Sequence, residues 1–100
     1  MIHSLPMRGL VPETGRTVTI TFKLFALLER FLPEGARRNE IRLSVPDVTT
    51  PGAIIAALDL PVALCALVIL NGVFVPPEAR DTQALVDGDV LAIWPPIAGG

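Results

Sequence analysis

Between Thr17 and Leu24 the chain alternates without a break, with Val18, Ile20, Phe22 and Leu24 on one side and Thr17, Thr19, Thr21 and Lys23 on the other. Successive side chains of an extended chain point to opposite faces, so this period of two predicts a half-buried strand. Such a strand carries backbone donors and acceptors along both edges and one apolar face, so it requires neighbouring strands and a cover. Both must come from a chain of 100 residues, about the size of one domain with one core. At 51% hydrophobic and 18% charged residues, with a formal net charge of -2, the chain is too apolar to remain unfolded.

The neighbours are legible. Ile41, Leu43 and Val45 alternate with Arg42 and Ser44 and stop at Pro46, which predicts a second strand. Apolar runs at 66–70 and 73–75 flank Asn71 and Gly72, a pair suited to a two-residue type I′ hairpin because both central positions need positive φ. Asp87, Gly88 and Asp89 turn the chain into a last strand at 90–94, which Pro95 and Pro96 end. The cover comes from Thr50 and Pro51, an N-cap residue followed by proline at the first helical position. They open a helix over 51–58 with Ile54, Ile55 and Leu58 on one face. A shorter helix over 25–32 uses Leu27, Leu28, Phe31 and Leu32 and is stopped by Pro33, Glu34 and Gly35. Two helices among five strands, without sustained βα alternation, place the chain in the α+β class. The order fits a β-grasp fold, a mixed sheet of about five strands covered by a helix. Residues 1–16 hold Pro6, Gly9, Pro12 and Gly15 and show no periodicity, which predicts a flexible N-terminal extension, with Met7 as an alternative start. The β-grasp domain is then 17–94 and a tail is 95–100.

Several function classes drop out. Seven arginines and one lysine are scattered, with only Arg37 and Arg38 adjacent, so nucleic-acid binding is not expected. The apolar stretch 60–70 is shorter than the roughly 20 residues of a membrane span. No secretory pattern opens the chain, and a single cysteine forms no internal disulfide, which together predict the cytoplasm. Cys65 lacks the neighbours of a metal site and reads as a small buried hydrophobe. Asp87 and Asp89 read as turn residues around Gly88 rather than as an acid/base pair. His3 is the only histidine and no catalytic set stands out, so the chain is read as a carrier and not an enzyme by itself.

The tail is the unusual feature. Pro95 and Pro96 fix φ and extend its base, Ile97 and Ala98 follow, and Gly99 and Gly100 leave no Cβ at the tip. At about 3.3 Å per residue the six residues reach roughly 20 Å, into a channel too narrow for other side chains. A free carboxylate on Gly100 is a poor electrophile until activated, for example as an acyl adenylate, and that activation needs a second protein. If Leu91 and Ile93 face the core, alternation sends Val90, Ala92 and Trp94 to the other face. Trp94 is then either a partly exposed docking anchor at the base of the tail or the cover of a satellite cluster with Phe25 or Phe74.

Leu70-Asn71-Gly72-Val73, Leu85-Val86-Asp87-Gly88-Asp89-Val90 and above all Ile93-Trp94-Pro95-Pro96-Ile97-Ala98-Gly99-Gly100 give the chain a resemblance to the MoaD/ThiS family of ubiquitin-like sulfur carriers. The last stretch resembles the ending of the molybdopterin synthase small subunit. The resemblance implies an E1-like adenylating enzyme that uses ATP and magnesium to join the carboxylate of Gly100 to AMP. A persulfide donor then displaces AMP to leave a thiocarboxylate, and no cofactor is bound by the carrier itself. It further implies that Trp94, Pro95, Pro96, Ile97, Ala98 and Gly99 bind partners, among them a molybdopterin synthase large subunit or another sulfur acceptor. Three alternatives stay open: a carrier for the thiamin thiazole, a ubiquitin-like protein modifier joined to lysine through Gly100, and a β-grasp binding module with an inert tail.

Overall fold

The computed structural model describes residues 2–4 and 15–96. Six strands form one mixed sheet: β1 (Ile2–Ser4), β2 (Thr17–Leu24), β3 (Glu40–Pro46), β4 (Leu67–Leu70), β5 (Val73–Phe74) and β6 (Val90–Trp94), in the spatial order β1-β3-β2-β6-β4-β5. One α-helix, α1 (Pro51–Ala57), follows β3. The α+β class and the β-grasp arrangement read from the sequence are what the chain adopts. Its two central strands, β2 and β6, run parallel in the register Thr21 to Val90 through Leu24 to Ile93. The other β2 and β6 neighbours, β3 and β4, are antiparallel to them.

The alternation seen in the sequence becomes the core. Ile20, Phe22 and Leu24 of β2, Ile41, Leu43 and Val45 of β3, Val68 and Leu70 of β4, and Leu91 and Ile93 of β6 are buried with Ile54 and Ile55 of α1. Leu58, placed on the same helical face, is half-buried. The Thr50 side chain accepts a hydrogen bond from the Ala53 N–H at 3.2 Å, so the predicted N-cap is formed. At the other end Leu60 N donates to Ile55 O and Asp59 N to Ala56 O, the paired closure of a Schellman cap, with Asp59 rather than glycine at positive φ.

Three expectations change. The sheet has six strands rather than five, because Ile2, His3 and Ser4 of the expected flexible lead-in pair in parallel with Arg42, Leu43 and Ser44. A strand of three residues is too short to show a period. Met1 and residues 5–14 lie outside the described residues. The short helix becomes a 3₁₀-helix at Ala26–Phe31. Pro33 disfavours helical backbone at Leu32, which is extended, and the turn closes through i to i+3 bonds such as Leu32 N to Glu29 O. Leu28 is buried there, but Leu27 points to solvent. Finally, β5 ends at Phe74, one residue early, before Pro76, although Val75 N still donates to Val68 O at 2.7 Å.

The hairpin between β4 and β5 turns through Asn71 and Gly72, with φ of 52° and 82°, as a type I′ turn demands. Asn71 then does a second task. Its amide donates to the Asp89 carboxylate and accepts from Val90 N, both at 2.8 Å, while Asp89 also accepts from Val86 N at 2.8 Å. Asp87 accepts from Thr19 N at 2.6 Å. The two aspartates therefore hold the start of β6 against the hairpin and against β2. Arg80 stitches another junction: its guanidinium donates to the carbonyls of Val75, Cys65 and Ala66.

Two stability measurements check these roles. Asp89 is 6% exposed, so Asp89→Ala strands the Val86 N–H and the Asn71 amide and should cost about 2 kcal/mol or more in urea unfolding. A Cβ on Gly72 meets open space, so Gly72→Val should cost about 1 kcal/mol or more through backbone strain alone; an unchanged urea midpoint would contradict the turn geometry.

Candidate functional site

The last strand delivers the tail. Leu91 and Ile93 fill the core, Trp94 is half-buried on the opposite face, Pro95 is buried and Pro96 is exposed. The chain therefore passes from buried to exposed between the two prolines. Ile97, Ala98, Gly99 and Gly100 lie outside the described residues.

Hydrogen bonds fix the end of β6 on both sides. Ala66 N donates to Trp94 O at 3.1 Å from β4's side, and Phe25 N donates to Ile93 O at 3.2 Å from the end of β2. The Trp94 indole stacks on the Phe25 ring, 3.9 Å between centroids and 7° from parallel. Of the two candidate partners for Trp94, Phe25 provides the contact and Phe74 does not. Partial exposure and aromatic packing thus coexist at one side chain.

An apolar sheet face surrounds Trp94. Leu67 is opposite it in the β4 and β6 register and is 40% exposed, Phe74 lies across from Ile69 at 48%, and Val90 is at 36%. Ala92 on the same face is buried, because its short side chain lies between Lys23 and Ile69 in the sheet. The sequence does not reveal Leu67 as a surface residue, since 66–70 is apolar on both sides and shows no period of two.

Cys65 is buried, and its thiol donates to Pro61 O at 3.5 Å. Burial pushes the thiol above its ordinary value of 9.0, with the Arg80 charge pulling weakly the other way. The neutral thiol is the form the fold prefers, so Cys65 is a poor nucleophile. Among the described residues, no group of three or more His, Cys, Asp or Glu side chains is placed to hold a metal ion. No helix of the described residues is long and apolar enough to cross a membrane.

Two outcomes follow from this geometry. Phe25→Ala and Trp94→Ala should be non-additive by about 0.5 to 1.5 kcal/mol in a double-mutant cycle, the range for a stacked pair; strict additivity would mean the rings do not interact. Because the folded thiol pKa is raised, the stability carried by Cys65 is complete below its ordinary value and drains away as pH rises through the folded value. Unfolding curves taken up to alkaline pH should show a fall that Cys65→Ala reduces.

Comparison with known proteins bears on the same stretch of chain. The solution structure of the Haloferax volcanii HVO 2177 protein superposes with a TM-score of 0.67 at 26% identity, over 84% of this chain and 88% of that one. The crystal structure of SAMP1 from Haloferax volcanii superposes with a TM-score of 0.57 at 25% identity, over 82% of this chain and 99% of that one. No curated protein sequence matches this chain. The family model described as Mut7-C ubiquitin matches residues 17–98, from the first residue of β2 into the tail. The kinship with MoaD/ThiS-type proteins expected from the sequence holds at the level of the shared ubiquitin-like fold, and the chain belongs to the Mut7-C ubiquitin family.

Proposed function

We propose that this protein is a ubiquitin-like carrier whose Gly100 carboxylate is activated by an E1-like adenylating enzyme and then loaded with sulfur. One observation carries the reading: a run ending in two glycines, 97–100, directly follows the point at Pro95 and Pro96 where the last central strand releases the chain. The match to the ubiquitin family and the likeness to SAMP1 along nearly all of that chain support it.

The chemistry proceeds in two exchanges on the partner. A Gly100 carboxylate oxygen attacks the α-phosphorus of ATP, with magnesium bound by the partner, and pyrophosphate leaves. The sulfur of a persulfide then attacks the acyl carbon, the bond to AMP breaks, and AMP leaves with the electron pair. A thiol then attacks the donor's sulfur of the resulting S–S bond, a disulfide forms with the donor, and the thiocarboxylate leaves with the electron pair. In the favoured branch a molybdopterin synthase large subunit takes this sulfur, in the cytoplasm. The body holds the tail in position: Trp94 on Phe25, with the strand bonds on either side of Ile93 and Trp94, gives it a rigid base. Transfer of Gly100 to a lysine is the second reading, supported by the ubiquitin-like kinship itself.

Adenylation with ATP and an E1-like enzyme tests the shared first step. Gly99→Ala, and more strongly deletion of Gly100, should reduce pyrophosphate exchange by about 100-fold, because about 1 Å of misplacement at a reacting centre costs that much. Both variants should unfold as wild type does. Wild-type exchange in both would leave only an inert binding module.

A further inference from the structure

At the β1 edge of the sheet lies a cleft of about 1000 Å³ lined by His3, Gly35, Arg37, Arg38, Glu40 and Arg42 among others. Arg37 and Arg38 are adjacent in the sequence, but Arg42 joins them only through the start of β3, and His3 only through the pairing of β1. The cleft is built around a close approach: a Cβ on Gly35 would collide with the His3 ring, and Gly35 has a φ of 101°. Among the described residues, three guanidinium groups against one carboxylate make this region cationic in a chain whose net charge is -2.

The arginines are presented rather than consumed. Arg80 donates to three backbone carbonyls, whereas among the described residues the side chains of Arg37, Arg38 and Arg42 donate to none. Arg38 also holds a φ of 57°, a conformation that favours glycine, at the tip of the turn that Arg37 and Glu40 close. Arg38 is exposed at this tip.

The cleft also has a fixed relation to the tail. Glu40 pairs with Lys23 near the end of β2, and Leu24 pairs with Ile93 near the end of β6. The arginine turn and the tail base therefore share one end of the sheet. Two strand spacings separate β3 from β6, roughly 10 Å, so a protein that grips the tail borders the cleft.

We propose that this cleft seats an acidic segment, bearing Asp or Glu side chains, of the protein partner that engages the tail. The proposal rests on the carrier reading for the partner's position. Guanidinium groups pair with carboxylates through two parallel N–H bonds. A phosphate cradle would use a run of backbone N–H groups, but two of those in the turn are taken, Arg37 N by Glu40 O at 2.9 Å and Glu40 N by Arg37 O at 3.1 Å, and the Glu40 carboxylate beside the arginines opposes a compact dianion. A nucleic acid needs a longer positive track than three arginines beside a glutamate provide.

The test is a binding titration of the full chain, without ATP, using a short poly-glutamate peptide followed by amide NMR shifts. Shifts should map to 37–42 and weaken as salt rises. The double variant Arg37→Glu, Arg38→Glu should bind at least tenfold less tightly, while Arg30→Glu, outside the cleft, should bind as wild type does. Arg38→Gly should also lose affinity yet keep or raise the melting temperature, an outcome that a purely structural role for Arg38 does not give. Equal binding by wild type and the double variant, no peptide binding, or preferential binding of pyrophosphate or a single-stranded oligonucleotide would overturn the proposal. Peptide binding that survives a failed adenylation assay would sink the carrier reading alone.

Discussion

The parallel pairing of β2 with β6 is the constraint from which the place of the candidate site follows. Parallel neighbours cannot be joined by a tight turn, so everything between Leu24 and Val90 has to leave the sheet centre and return. The chain uses that detour to build β3 on one side, cross under the sheet as α1, and add β4 and β5 on the other side. Once Leu24 lies beside Ile93, the end of β6 coincides with the end of β2. Phe25 and Trp94 are then the next residues on neighbouring strands, and their stack caps the pair. Pro95 and Pro96 follow from this point because the register fixes where β6 ends.

Periodic burial made most of this legible in the sequence. The alternation at β2 and β3, the Thr50-Pro51 start of α1 and the Asn71-Gly72 turn each rest on a local rule that the surrounding structure obeys. The departures have equally local causes. Pro33 pulled the predicted helix over 25–32 into 3₁₀ geometry, and β1 was too short to carry a pattern. Trp94 is legible as one large aromatic on the face of β6 opposite the core. Its surroundings are not, because Leu67 belongs to a run with no polar alternate.

Polar contacts between distant segments were the least readable. Asp89 looked like an ordinary turn residue, and its turn role stands, but its burial against Asn71 depends on a contact 18 residues away. The same holds for the arginines. Arg80 is spent on carbonyls that only the folded connection brings near it, while Arg37, Arg38 and Arg42 gather where a turn enters β3, and His3 reaches them only because β1 pairs with β3. A scattered charge count therefore concealed a local cationic cleft.

The central claim is that a rigid ubiquitin-like body presents Gly100 for sulfur loading. The most direct measurement is the intact mass of the protein isolated from its native cells, with fragmentation to locate any change. The account predicts a fraction of molecules that end at Gly100 with sulfur in place of one carboxylate oxygen. A population with only an unmodified carboxylate at Gly100, or with further residues joined to it by an ordinary peptide bond, would contradict it.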